Sequence, residues 1–283
     1  MGKTIEKQKH EIMLENQIKV SFLYHSGFLV ELSDTIFLFD YYKGVIPKLD
    51  SRKSIYVFSS HRHPDHFCFE IFALAEKYPN VKYILSRDIG KKYKKKYMME
   101  KKGLSEETYS LITYLKEDEL WEDESVIVQT IVSTDAGVAF LVQEKQKKRT
   151  VYHAGDLNWW TWEGETKEEY QAMTKKFKAS MELVRQKLQS MDIPCFDVAF
   201  VPLDPRQKER YAMGFDFFMR NIPVKHVFPM HAFGDYSVIG KLMRDELSKD
   251  YRDKIINICG QEKRKVKILS PEMRKRVKEL LNR

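Results

Sequence analysis

The chain has 283 residues, and 49 basic against 41 acidic side chains leave it at +8. That length is ample for a buried core, and a 43% apolar, 13% aromatic composition excludes a largely disordered chain or a fibrous repeat. No stretch approaches the about 18 consecutive apolar residues of a bilayer span, and Cys68, Cys195 and Cys259 are too few and scattered for a disulfide framework or a thiolate metal site.

β-Branched and aromatic runs predict strands at 19–25 (KVSFLYH), 27–32 (GFLVEL) and 35–40 (TIFLFD), broken at Ser26-Gly27 and Ser33-Asp34. Ile55 to Ser60 reads as a buried strand that runs into HRHPDH. Residues 67–78 (FCFEIFALAEKY) carry apolar side chains at helical spacing and stop before Pro79-Asn80. A strand at 81–86 (VKYILS) leads into a lysine-rich helix or loop. Further strands are expected at 125–133 (SVIVQTIVS), 137–145 (GVAFLVQEK) and 150–156 (TVYHAGD), and a long surface helix from about Glu165 to Met191. Then come a strand at 196–204 (FDVAFVPLD), a helix from Tyr211 to Asn221, a strand at 224–231 (VKHVFPMH) and a helix from Ser237 to Ser248. The tail reads as a short strand and a helix over 270–283, with Ser270 as N-cap and Pro271 at its first position. No linker or repeat divides the chain, so one α/β domain over 1–283 with antiparallel-rich sheets is expected.

The N-terminal residues lack the apolar stretch of a secretory signal, and Glu6 stands where a myristoylation motif needs Ser or Thr. A soluble, cytoplasmic protein is the expectation. Seven lysines against Glu100 give residues 91–102 a local +6, and nine basic residues against Glu272 and Glu279 give 263–283 a local +7. Such stripes form solvated faces or contact polyanions, and charge alone does not choose.

Chemistry concentrates at His61-Arg62-His63-Pro64-Asp65-His66, which holds three of the eight histidines beside a carboxylate. That many polar rings in a small volume need partners, and a divalent cation supplies them at once. In an extended segment residues i and i+2 point the same way, so His61 and His63 can grip one ion. Pro64 then turns the chain, and Asp65 and His66 are expected to open a helix and face a second ion.

This hexapeptide after a strand resembles the signature of the metallo-β-lactamase superfamily. His153-Ala154-Gly155-Asp156 and Pro229-Met230-His231 stand where the family places its later ligands. Tyr24-His25-Ser26-Gly27-Phe28 with IFLFD resembles the branch that includes ascorbate-6-phosphate lactonase, and the likeness covers roughly residues 18–235. It implies a four-layer αββα sandwich, with metal ligands His61, His63, Asp65, His66, Asp156 and His231, and Asp156 bridging. The family usually has one more histidine between the first motif and the bridging aspartate. Ser133-Thr134-Asp135 stands there instead. Asp135 either replaces that ligand through oxygen, which would make manganese or iron more competitive with zinc, or only caps a turn.

The resemblance implies one or two divalent ions, zinc first, and a metal-activated hydroxide that cleaves a small ester, lactone or phosphorylated metabolite. Asp65 would orient the nucleophile. His25 is either a catalytic group at the site mouth or a hydrogen-bonded core residue, and His153 is expected to support the ligands. Asn158, Trp159 and Trp160, just after Asp156, either contact substrate or pack beneath the loop. Two other functions stay open: a phosphodiesterase acting on RNA or DNA, and a metal-stabilised binding protein without turnover.

Overall fold

The computed structural model describes residues 11–258. The expected C-terminal strand and helix, with the basic stripe at 263–283, lie outside them. One sheet has seven strands in sequential order: β1 (Glu11–Met13), β2 (Lys19–Tyr24), β3 (Gly27–Glu31), β4 (Thr35–Phe39), β5 (Ser54–Ser59), β6 (Val81–Ser86) and β7 (Ile112–Leu115). Beside it lie helices α1 (Arg87–Lys92), α2 (Lys95–Lys102) and α3 (Glu106–Ser110). The second sheet holds β8 (Leu120–Glu122), β9 (Val126–Val132), β10 (Val138–Glu144), β11 (Arg149–His153), β12 (Phe196–Pro202) and β13 (Val224–Met230), ordered 13-12-11-10-9-8. Helices α4 (Lys167–Ser190), α5 (Met213–Asn221) and α6 (Ser237–Arg244) accompany it.

Alternation along the strands builds the layers. Phe28, Phe37, Phe39, Tyr56, Phe58 and Ile84 of the first sheet share one core with the second sheet and with α4, α5 and α6. Their neighbours Leu29, Ile36, Leu38, Ile55, Val57 and Tyr83 face the other way, into a core with Ile71, Ile89 and Met98. TIFLF is therefore buried on both faces, and each of its phenylalanines contributes roughly 1.5–3 kcal/mol by burial. The result is the four-layer αββα sandwich of the metallo-β-lactamase type.

The sheets are mixed rather than antiparallel-rich. β1 to β4 and β8 to β11 pair antiparallel, whereas β4 to β7 and β11 to β13 pair parallel. The parallel halves matter for function, because they bring the C-terminal ends of β4, β5, β11, β12 and β13 to one edge.

α4 matches the expected long helix. A capping box between Thr166 and Glu169 starts it, and Phe177, Met181, Val184 and Leu188 bury one stripe. The helix expected over 67–78 is reduced to a 3-10 stretch, Phe69–Leu74. There the buried Tyr83 hydroxyl donates to the carbonyls of Ile71 and Phe72, taking acceptors that an α-helix would use internally. Likewise Asp65 and His66 sit in turns, not in a helix. The lysine run 91–102 forms α1 and α2, with Lys95 paired to Glu106 and Lys96 to Glu100. No helix among the described residues is long and apolar enough to cross a membrane.

Candidate metal centre

Each polar residue at the shared edge sits where an apolar strand ends. His25 follows β2, Asp40 follows β4, Ser60 and His61 follow β5, Asp156 follows β11, Asp204 follows β12 and His231 follows β13. His25, Asp40 and His231 stop their strands in the left-handed region, at φ 56°, 41° and 64°. That conformation costs an L-residue about 1–2 kcal/mol and concentrates at functional sites. The HRHPDH turn is closed by the His63 carbonyl, which accepts from the backbone N–H groups of His66 and Phe67, both at 3.0 Å. Arg62 is drawn outward, its backbone N–H and guanidinium both donating to Asp88, so the residues on either side of it face inward.

Outer hydrogen bonds fix which nitrogen of each imidazole is free. Asp40 is buried, and burial opposes its charge. Electrostatic attraction to His153 and His66, with the His66 hydrogen bond, outweighs burial and holds the carboxyl below the usual range. As an ionised acceptor it takes the Ser60 N–H at 2.7 Å, the Ser60 Oγ–H at 2.6 Å and the His66 Nδ1–H at 2.7 Å. Having given its proton to Asp40, Ser60 Oγ accepts from His61 Nδ1 at 3.0 Å. His231 Nδ1 donates to Asp204 at 3.2 Å. The Nε2 atoms of His61, His66 and His231 are thereby left as lone pairs, and that of His61 accepts from His63 Nδ1 at 2.9 Å.

All three aim at one carboxylate. Asp156 Oδ1 lies 3.1 Å from His66 Nε2 and 3.2 Å from His231 Nε2, and its Oδ2 lies 3.3 Å from His61 Nε2. Acceptor thus faces acceptor in a buried site. His66 Nε2 and Asp156 Oδ1 have no hydrogen-bond partner, and neither has His25 Nε2. Only a positive charge between such atoms makes the arrangement stable. A proton can supply it: burial lowers the His66 and His231 pKa values, but Asp156 outweighs it and both lie above the ordinary imidazole range. Divalent cations fit the donor set better, because the donor atoms form two compact groups. One is His61, His63 and Asp156; the other is His25, Asp65, His66 and His231. Within each group the donor atoms lie within 4.8 Å of one another, and Asp156 faces both.

His25 therefore stands inside a donor group rather than at the mouth. It is buried, its Nε2 is 3.5 Å from Asp65 Oδ2, and its ring centroid is 4.3 Å from that of His231. Burial holds its pKa down, which keeps the ring neutral, as a ligand requires. His153 faces away from the donors: its Nδ1 accepts from Gly155 N–H at 3.1 Å, and its Nε2–H donates to the Ser26 carbonyl at 2.9 Å. It ties one sheet to the other behind the site.

Asp135 lies outside both donor groups. Its side chain is 52% exposed, with Oδ2 4.0 Å from His63 Nδ1. The loop that carries it is pinned by backbone contact: Val138 N–H donates to the Ser60 carbonyl, and Gly137 has φ 62°. A Cβ at Gly137 would stand 2.0 Å from Ser60 O. Gly137→Ala is therefore expected to cost about 2–4 kcal/mol by overpacking and backbone strain. A fall in chemical-denaturation midpoint, partly reversed by added metal, checks this.

The residues after Asp156 divide between core and cavity. Asn158 and Trp159 do not face the cavity: Asn158 donates to Gln207 and to Thr134 Oγ1, and Trp159 donates to Thr174 and stacks on Phe177. Trp160 does line it, with its ring 5.4 Å from His231, and Trp162 stacks on Trp160. The cavity measures about 230 Å³ and is bounded also by Thr134, Asp135, Arg206 and His231. Sequence reasoning missed Asp40, Asp204 and Arg206. The available signal was an aspartate directly after an apolar strand, in TIFLFD and again in FDVAFVPLD.

No protein-family model and no curated protein matches the sequence. Solved structures do. An inferred metal-dependent hydrolase from Parabacteroides distasonis is 15% identical, with 88% of this chain and 97% of that chain covered and a TM-score of 0.54. Igni18, described as a novel metallo hydrolase, from the hyperthermophilic archaeon Ignicoccus hospitalis, is 14% identical, with 84% and 94% covered and a TM-score of 0.52. The chain shares its sandwich over nearly the full length of both, and at these identities the likeness is one of fold.

Proposed function

We infer that the protein is a metal-dependent hydrolase of a small ester, lactone or phosphorylated metabolite, as in the lactonase-like branch its motifs resemble. One observation carries this reading: three imidazole lone pairs, each set by an outer acceptor, converge on the buried and charge-hungry Asp156. In this reading His61, His63 and Asp156 hold one cation, and His25, Asp65, His66, His231 and Asp156 hold the other. With Asp135 outside, both sets are rich in nitrogen, which supports zinc or iron over manganese. Bound divalent ions would acidify water and polarise the scissile group. Asp65 is kept ionised, since the pull of His25 and His66 outweighs its burial. It accepts a hydrogen bond from the attacking water and orients it. Asp156 holds the two groups in register.

A cavity of about 230 Å³ suits a metabolite better than a nucleic-acid strand. The unpaired thiols Cys68 and Cys195 agree with a reducing, cytoplasmic setting. The test is elemental analysis of purified protein, with ester, lactone and phosphodiester hydrolysis measured before and after chelation. One or two ions per chain are expected, with turnover abolished by chelation, restored by metal and lost with the ions in His61→Ala. Protein that refuses transition metals, or turnover indifferent to chelation, would overturn the assignment.

A further inference from the structure

We propose that Arg206 anchors the carboxylate or phosphate of a small anionic substrate in this cavity, a proposal that rests on the hydrolase reading above. Arg206 lies just after β12 in the 3-10 turn Pro205–Arg210 and lines the same cavity as Asp156 and His231. Its guanidinium is fixed in two ways. Phe233 and Trp162 place rings 3.6 Å and 5.8 Å from it, centroid to guanidinium carbon, which sets its plane. Its Nε and Nη2 donate to Asp204, which sets its rotation within that plane. The side chain is nonetheless 46% exposed. Arginine has five N–H donors in a rigid fork, so Nη1 and the outer edge of Nη2 remain for a ligand.

Charge and shape around it specify the ligand. Asp204 divides its acceptance between Arg206 and His231 Nδ1, so the guanidinium keeps positive potential toward the cavity. Asp135 and Asp156 provide the carboxylates of the same cavity. A substrate with its acidic group on Arg206 thus directs its other end to the imidazole–carboxylate cluster. Trp160 and Trp162, with centroids 6.0 Å apart and planes 3° from parallel, form a flat wall for the part between. Trp162 and Phe233 are 41% and 47% exposed, so both rings beside the guanidinium keep surface for a ligand to cover. A pre-set fork binds an anion without ordering cost, so its loss is expected to weaken anion binding about tenfold or more.

The experiment is calorimetric binding of benzoate, phenylphosphonate and neutral benzamide to the metal-loaded full-length chain, with metal content measured for every variant. Wild type is expected to prefer one of the anions over benzamide by at least about tenfold, and the preferred anion distinguishes a carboxylate from a phosphate substrate. Arg206→Gln keeps a donor for Asp204 without the charge, and should bring that preference within about threefold at unchanged metal content. Arg206→Lys keeps the charge without the fork and should fall between. If the Gln variant retains the full preference, the bound ions alone attract the anion and the proposal is overturned. If both variants shed metal, Arg206 acts only through Asp204, which equally overturns it. Loss of preference in the Gln variant of a protein that hydrolyses nothing would sink the hydrolase reading and leave the anchor standing. Chelation-sensitive turnover with preference intact would sink the anchor alone.

Discussion

Asp156→Asn is expected to empty both groups of donors at once and to lower turnover by about a thousandfold or more. The substitution preserves volume, so the loss isolates charge from packing. Asp156 Oδ1 faces the Nε2 atoms of His66 and His231, and Oδ2 faces that of His61. An amide places N–H groups on one of those positions and removes the negative charge from both. A cation's share in stabilising a hydrolytic transition state is several kcal/mol, which corresponds to that loss in rate. His226 provides the control. It sits on the same strand as the run up to His231, yet belongs to neither donor group. His226→Ala should keep its ions. Elemental analysis after dialysis, paired with turnover, decides the matter. If the Asp156→Asn protein retained two ions, or lost less than about tenfold in rate, Asp156 would not be what joins the groups.

How much of this was visible beforehand depended on whether a role lay within a contiguous segment. HRHPDH could be read because its donors are neighbours in sequence, and i, i+2 geometry explains His61 with His63. Asp156 and His231 were located through the motif likeness, since nothing in HAGD or PMH demands convergence. Asp40 could not be found in that way. Its role arises from register: parallel pairing sets Phe39 opposite Phe58, so the residue after β4 falls beside Ser60 at the end of β5. The position of His25 likewise depends on the two sheets meeting, where the His231 N–H donates to the His25 carbonyl at 3.4 Å. Asn158 and Trp159 looked like substrate contacts by proximity to Asp156, but α4 and the turn carrying Gln207 take their polar groups. Short edge strands such as β1 (EIM) and β8 (LWE) lack the length for a period to register.

Asp40→Asn is expected to lower metal affinity at the His66 group by about 10–100-fold, although residue 40 touches no proposed ion. The carboxylate accepts three donors through two oxygens: Ser60 N–H on Oδ1, with Ser60 Oγ–H and His66 Nδ1–H on Oδ2. An amide retains only one acceptor oxygen. If that oxygen meets Ser60 N–H, the new NH2 opposes the His66 Nδ1–H, donor against donor. His66 escapes by moving its proton to Nε2, so that Nδ1 accepts from the amide. Nε2 is the atom aimed at Asp156, so the tautomer that relieves the clash blocks the donor. The opposite amide orientation keeps His66 correct and strands Ser60 N–H, which is buried beside the partner that was lost. Either way a charged, fully buried network is broken, and stability should fall by about 2–4 kcal/mol. Ser60 Oγ also carries the effect to His61 through its 3.0 Å contact with Nδ1, so the first group weakens less but measurably. Metal titration resolves the two affinities, and nitrogen chemical shifts of His66 report its tautomer directly. Unchanged affinity with His66 still protonated at Nδ1 would mean that the imidazole is oriented by packing alone. In that case the outer acceptor Asp40 would have no part in preparing the site.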